Sequence, residues 1–194
     1  MVRFQTAAVH VNAAQATPYL PQMSQPAAQP WTRRERVALA ALVVLALVIR
    51  AAHVLFMQES PYFEAPVMDG AYHLEWARSL AAGEVFQDGP FFRAPLYPWL
   101  LSILLTLTGD DLFWARMLQA PLGAATVVLT TLLGRRLGGP LAGWVAGVLA
   151  ATSWVLVYFD GEFLIPVLAV PLNLFALWLT LGLGLQIQPR EIPV

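Results

Sequence analysis

Long apolar runs alternate with polar segments along this chain, and four of the runs have the length of membrane spans. An α-helix needs about 20 apolar residues to cross the roughly 30 Å of hydrocarbon in a bilayer. The pattern therefore predicts an all-α integral membrane protein with about four transmembrane helices. The predicted spans are residues 37–57, 112–133, 141–159 and 163–185.

A fifth apolar run, at residues 95–108, is short for a span and decides the topology. If it crossed the membrane, Arg135 and Arg136 would lie outside, against the preference of basic residues for the cytoplasmic side. We therefore predict that it is a re-entrant or interfacial helix that ends at Gly109. It would belong to a long outer loop that covers residues 58–111.

Both ends of the chain are predicted to lie in the cytoplasm. Arginines at positions 33, 34 and 36 precede the first span, and such clusters remain inside. Residues 1–32 are rich in Ala, Gln and Pro and are predicted to be a disordered tail, and residues 186–194 form a second tail. On this topology ten of the twelve acidic residues fall on the outer side, so we expect a site on the extracytoplasmic face.

Composition supports the membrane assignment and excludes several kinds of site and partner. The chain is 58% hydrophobic and only 12% charged, about half the charged fraction of a soluble domain. It has no cysteine, which excludes disulfides and thiolate ligands. Its net charge is −1 and it has no basic patch, which argues against a nucleic-acid partner.

Small residues in the third predicted span indicate close helix packing. Gly143, Ala146 and Gly147 recur at spacings that let helix backbones approach one another in lipid. The residues Gly138-Gly139-Pro140 just before this span are predicted to form a tight turn.

Two acidic positions are the main candidates for chemistry. Asp69, which is followed by Tyr72 and His73, could act as a general base at an interface poor in water. The alternative is that Asp69 is the N-cap of a helix through Leu80. Asp160 and Glu162, in a short outer loop, could bind a divalent cation or a substrate hydroxyl, or could be a solvated turn.

Several basic side chains lie near these acids. Arg93 and Arg116 are predicted at the outer interface and could bind phosphate, although arginines there also act as membrane anchors. His73 is a weaker candidate ligand. Arg50 and His53 lie one turn apart in the outer part of the first span, and ionisable groups inside a span are functional candidates by default.

The order of motifs resembles a known family. Residues 69–77 are Asp-Gly-Ala-Tyr-His-Leu-Glu-Trp-Ala, and residues 93–101 are Arg-Ala-Pro-Leu-Tyr-Pro-Trp-Leu-Leu. Phe-Trp-Ala-Arg-Met-Leu-Gln follows at 113–119 and Arg-Arg-Leu-Gly at 135–138. Over residues 33–185 the chain is similar to the N-terminal part of the GT-C membrane glycosyltransferases. Within that superfamily it resembles bacterial relatives of dolichyl-phosphate-mannose–protein mannosyltransferases and aminoarabinose transferases.

The resemblance implies a transferase that moves a sugar from a polyprenyl-phosphate-linked donor to a protein, lipid or glycan acceptor. It makes Asp69 the catalytic base or acceptor-binding acid. It also gives Glu162, or less favourably Asp160, a role in binding a metal or positioning the substrate. Tyr72, His73, Arg93 and Arg116 would bind the substrate.

The chain departs from the family pattern in two respects. Gly70 follows Asp69 where many members have a second acid, and the chain is much shorter than the members of the family. It is therefore expected to be a fragment, a truncated gene product or half of a split enzyme. The alternative function is a non-catalytic multi-pass membrane module, or an inactive fragment, that binds lipid or a partner subunit.

Overall fold

The chain folds into helices throughout the part that the computed structural model describes, residues 30–84 and 93–184. Helices account for 81% of these residues, and no strand occurs among them. Residues 1–29, 85–92 and 185–194 lie outside the described residues. They comprise most of the first predicted tail, the middle of the outer loop and all of the second predicted tail. The six helices are α1 (Arg33–Met57), α2 (Met68–Ala81), α3 (Leu96–Thr108), α4 (Leu112–Thr152), α5 (Trp154–Gly161) and α6 (Pro166–Gly184).

Helix α1 begins at a capping box. The Thr32 hydroxyl accepts a hydrogen bond from the Glu35 backbone N–H at 3.2 Å, and the Glu35 carboxylate accepts one from the Thr32 N–H at 2.9 Å. Two backbone donors that would otherwise lack partners are thus satisfied. The Glu35 carboxylate also pairs with Arg135 of α4, so this cap ties the start of α1 to a second helix.

The helix predicted at residues 95–108 is present as α3 and ends where the sequence indicated. Its C-cap, Gly109, has φ 66° and ψ 38°, a left-handed conformation in which glycine avoids the steric cost of a side chain. The N-cap interpretation of Asp69 is wrong. Helix α2 begins one residue earlier, at Met68, and its N-cap is Val67. Asp69 is therefore in the first turn, with its side chain available for other contacts.

Helix α4 is a hairpin of two arms, residues 112–138 and 140–152, which meet at the predicted turn. Gly139 has φ 84° and ψ −178°, which breaks the helix. A Cβ atom at Gly143 would lie 2.8 Å from the Thr131 carbonyl oxygen, and one at Gly134 would lie 3.0 Å from the Ala142 carbonyl oxygen. The small residues therefore allow the close antiparallel approach that their spacing predicted.

This packing predicts that Gly147→Ala destabilises the protein by about 1–3 kcal/mol, because overpacking a tight helix contact forces side chains or backbone to move. The added methyl would overlap the Thr131 hydroxyl and approach Leu42. Thermal unfolding of purified protein measures the change. Gly182→Ala is the matched control, since its new methyl would find the nearest atom at 3.7 Å. Equal melting temperatures for the two variants would contradict the close approach.

The third and fourth predicted spans differ from the structure at their boundaries. The third is interrupted at Ser153, which is extended with φ −62° and ψ 111°. The following helix, α5, is bent by 119° relative to α6. By length and composition, α1 and α4 could cross a membrane, and the bent α5–α6 pair could form a third span.

The chain passes four times between two ends of the helical bundle. At one end, Arg135 meets Glu35, and Arg136 donates a hydrogen bond of 2.8 Å to the Leu181 carbonyl oxygen. At the opposite end, which we call the Gly161 end, Gly161 packs against His53 near the end of α1. Helices α2 and α3 cover the Gly161 end and pack on α4 and α6 through one core cluster. Its buried members are Leu74, Ala77, Tyr97, Leu101, Leu105, Leu112, Ala115, Phe163 and Val167.

Candidate functional site

A cavity of about 700 Å³ lies at the Gly161 end, between α1, the start of α2, α5 and the α5–α6 connection. Carboxylates, aromatic rings and one imidazole contribute to its wall. The carboxylates are Glu59, Asp69 and Glu162, the aromatic residues are Phe56, Tyr62, Trp154 and Tyr158, and the imidazole is His53. Asp69 and Glu162 are 93 positions apart in the sequence, and both residues line this cavity.

Asp69 pairs with Arg93, the candidate phosphate-binding residue. Arg93 Nη1 lies 2.8 Å from Asp69 Oδ2, and Nη2 lies 2.8 Å from Oδ1. The guanidinium also lies 5.6 Å from the centre of the Tyr72 ring. This two-pronged geometry is the one in which arginine recognises carboxylates and phosphates alike. The structure thus brings three predicted site residues together, and Arg93 engages both oxygens of Asp69.

Glu162 lies in the connection between α5 and α6, where its backbone is extended. Burial raises the pKa of its carboxyl above the usual value, and the positive charge of Arg116 opposes that shift. A carboxyl group with a raised pKa exchanges protons more readily near neutral pH than an ordinary surface acid. Glu162 therefore has properties suited to proton transfer or to hydrogen bonding with a hydroxyl.

Asp160 is paired inside the bundle, and its role with Glu162 as a cation ligand stays a prediction. Its carboxylate faces the bundle and accepts a hydrogen bond of 2.7 Å from Arg50 Nε, and both side chains are buried. A Cβ atom at Gly123 would overlap this pair, so glycine leaves the space that the pair fills. Among residues 30–84 and 93–184, no group of three or more His, Cys, Asp or Glu side chains is placed to hold a metal ion.

Arg116 lies in the core and does not contribute to the cavity wall. Its Nη2 donates to the Phe63 carbonyl oxygen at 2.9 Å, and its Nε donates to the Gly161 carbonyl oxygen at 3.1 Å. The guanidinium lies 4.1 Å and 4.3 Å from the ring centres of Phe63 and Phe163. These contacts connect the outer loop to the end of α5, so Arg116 holds two parts of the cavity wall in place.

His73 is also buried away from the cavity wall. Its Nδ1 lies 3.0 Å from the Phe163 carbonyl oxygen, which assigns the ring N–H to Nδ1 because a carbonyl can only accept. Burial lowers the pKa of this imidazole, so the neutral form is favoured. Its contacts tie α2 to the start of the segment that leads into α6, and a substrate contact for His73 remains a prediction.

His53 is the cavity residue that the sequence analysis did not assign to a site. It is 7% exposed, and neither ring nitrogen has a hydrogen-bond partner in the described part of the protein. Its ring packs edge-on against Trp154, with the ring centres 5.0 Å apart. The available signal was its position one turn after Arg50 in an apolar span, but sequence alone could not show which face of the helix meets a cavity.

Comparisons with protein-family models, with curated proteins and with solved structures gave no match to this chain.

Proposed function

We propose that this chain is the N-terminal portion of a membrane glycosyltransferase that takes a sugar from a polyprenyl-phosphate-linked donor. The observation that carries the proposal is the cavity in which Asp69 and Glu162, from two distant segments, meet beside aromatic residues. Carboxylates suit hydroxyl groups, and aromatic side chains suit the apolar faces of sugar rings. The motif order described above supports the same assignment, as a resemblance.

The proposal includes a membrane topology. Helices α1 and α4 are apolar enough to span. Four crossings would come from α1, the first arm of α4, the second arm continued by α5, and α6. The Arg135 end would lie in the cytoplasm, since arginines favour that side. The cavity would then open on the extracytoplasmic face, where α2 and α3 would lie along the membrane surface.

Because the chain has no cysteine, single introduced cysteines test this topology. Glu84→Cys should react with a membrane-impermeant thiol reagent in intact cells, because Glu84 is exposed beyond the end of α2. Leu137→Cys, which is 64% exposed next to the hairpin turn, should react only after the cells are permeabilised. Labelling of Leu137→Cys in intact cells would contradict the proposed orientation.

In the proposed reaction the acceptor hydroxyl oxygen attacks the anomeric carbon as the bond from that carbon to the donor phosphate breaks. The hydroxyl proton passes to the Asp69 carboxylate, and the polyprenyl phosphate leaves with the bonding electron pair. Arg93 binds Asp69 through the geometry that also suits phosphate. An incoming donor phosphate would compete for Arg93 and thereby release Asp69 to act as the base.

Glu162 would orient the acceptor or the sugar by hydrogen bonding at the other side of the cavity. The scheme is written with protein side chains, and a divalent cation held by Glu162 or Asp160 stays a prediction. Each role is carried by side chains that line or border the cavity.

The second candidate is a non-catalytic membrane module, and the Asp69–Arg93 pair favours it, because both carboxylate oxygens are engaged. A transfer assay separates the two. Membranes from cells that express the full reading frame are incubated with labelled polyprenyl-phosphate sugars, and the label transferred to acceptor material is measured. Transfer above membranes lacking the protein supports the enzyme, whereas binding of the lipid without transfer supports the module.

A further inference from the structure

Asn173 places a side-chain amide near the middle of α6. The helix has 19 residues, from Pro166 to Gly184, and residue 175 is midway between its ends. At a rise of 1.5 Å per residue it is about 28 Å long, close to the thickness of the hydrocarbon region. In the proposed topology, Asn173 would therefore lie about 3 Å from the centre of the bilayer, where its short side chain cannot reach water.

This amide is exposed and only partly satisfied. Its Nδ2 donates a hydrogen bond of 2.8 Å to the Ala169 carbonyl oxygen, one turn earlier in the same helix. In the described part of the protein no other hydrogen bond reaches the exposed Asn173 side chain, so one N–H donor and the Oδ1 acceptor remain. Lipid tails offer neither group a partner, which makes the exposure costly. The partner is therefore expected to come from another protein segment in the membrane.

A second copy of the chain supplies both groups that Asn173 lacks. Copies inserted in the same orientation place Asn173 at the same depth, and a two-fold axis along the membrane normal brings the two side chains face to face. Each Oδ1 can then accept a hydrogen bond from the free N–H of the other copy. The amide is thus complementary to itself, unlike a charged side chain, which would repel its own copy.

The surface around Asn173 has room for another helix. Residues 172–180 of α6 are exposed apart from Leu174. Ala176 and Thr180 lie on the same face of the helix as Asn173, because residues three and seven positions apart are neighbours on one face. The small side chains at these two positions let helix backbones approach closely in lipid, so the short amides of two copies can meet.

We propose that α6 is a self-association surface, on which Asn173 of two copies in the same membrane forms a symmetric pair of hydrogen bonds. This inference rests on the topology included in the proposed function, in which α6 crosses the bilayer, and it does not depend on sugar transfer. It gives a partner to a polar side chain that lies outside the cavity and takes no part in the proposed reaction.

Energy transfer between labelled copies of the full chain in liposomes measures self-association. The dyes are attached to Glu84→Cys, an exposed position beyond α2, in a chain that has no other cysteine. Asn173→Leu is expected to weaken association about tenfold, the effect of losing two interhelical hydrogen bonds of average strength. Asn173→Gln keeps an amide and should associate within about threefold of the unaltered protein.

Phe175→Leu is the matched control, because residue 175 lies on nearly the opposite face of the helix from Asn173 and is also exposed. It should leave association unchanged. Melting temperatures of the variants show whether the fold is retained, and if Asn173→Leu does not fold, Asn173→Ala replaces it.

Oxidative crosslinking in the same liposomes locates the contact. Ala176→Cys should form disulfide-linked dimers, whereas Phe175→Cys, at nearly the same depth but on another face, should form few. Equal crosslinking of the two variants would overturn the assigned surface.

Failure of this inference and failure of the proposed topology are distinguishable. Asn173→Cys should resist a water-soluble maleimide, and rapid labelling would show that α6 does not cross the bilayer, so that both fail. If this cysteine is protected, two results overturn the inference alone. One is an unaltered protein that stays monomeric at every protein-to-lipid ratio, which means that a different helix covers Asn173. The other is an Asn173→Leu variant that associates as strongly as the unaltered protein.

Discussion

Replacing Asp160 by alanine is expected to destabilise the protein by about 3–5 kcal/mol, because removal of one partner from a buried ion pair leaves the other charge unpaired. The remaining partner is Arg50, which is 1% exposed and whose Nη1 donates to the Ala46 carbonyl oxygen at 3.1 Å. Reversible unfolding of the purified protein in mixed micelles measures the difference in free energy.

Two comparisons show whether the loss of stability comes from the unpaired charge of Arg50. The double variant Arg50→Met with Asp160→Leu removes both charges and is expected to recover most of the stability, as apolar replacements of buried ion pairs often do. Arg78→Ala breaks the exposed Arg78–Asp110 pair and should cost less than about 1 kcal/mol. A loss for Asp160→Ala no larger than that for Arg78→Ala would contradict the prediction.

Asp69→Asn is expected to reduce sugar transfer by about 10²–10⁴-fold, the usual contribution of a positioned general base. The amide keeps the shape of the side chain and can still accept a hydrogen bond from Arg93, but it cannot take the acceptor proton. Initial rates in the membrane assay, normalised to the amount of folded protein, measure the effect.

Asp110→Asn is the matched control for this substitution. Asp110 also forms a two-pronged pair with an arginine: Arg78 Nε donates to Asp110 Oδ1 at 2.9 Å, and Arg78 Nη2 lies 2.9 Å from Oδ2. Asp110 is not part of the cavity wall. Asn also tolerates the left-handed conformation of residue 110, whose φ is 66°. Transfer should stay within about twofold. A rate for Asp69→Asn similar to that of the control would exclude Asp69 as the base.

Local signals in the sequence predicted the helices well. Gly109 ends α3 and Gly139 breaks α4 as expected, because both positions adopt positive φ that glycine accommodates. The N-cap interpretation of Asp69 failed because the helix begins one residue earlier, and its carboxylate pairs with Arg93 instead of with the backbone. The break at Ser153 has no breaker residue such as glycine or proline at that position, so hydrophobicity alone extended the third span through it.

The candidate site was only partly predictable, because its contacts join segments far apart in the sequence. The motif pattern singled out Asp69, Arg93 and Glu162, and all three lie at or beside the cavity. The same pattern treated Asp160 as a partner of Glu162, although Asp160 lies in helix α5 and Glu162 lies in the extended segment that follows it. Its true partner, Arg50, is 110 residues away, and no periodicity encodes a contact at that distance.

The contacts of Arg116 also bear on the order in which the protein assembles during synthesis. Two of its carbonyl partners, Phe63 and Gly161, are separated from it by 53 and 45 residues, one before it and one after it. The early helices can form as they leave the ribosome, whereas long-range contacts wait for the later segments. The wall around the cavity can therefore close only after the chain through Gly161 has been made, so completion of the site follows the synthesis of α4 and α5.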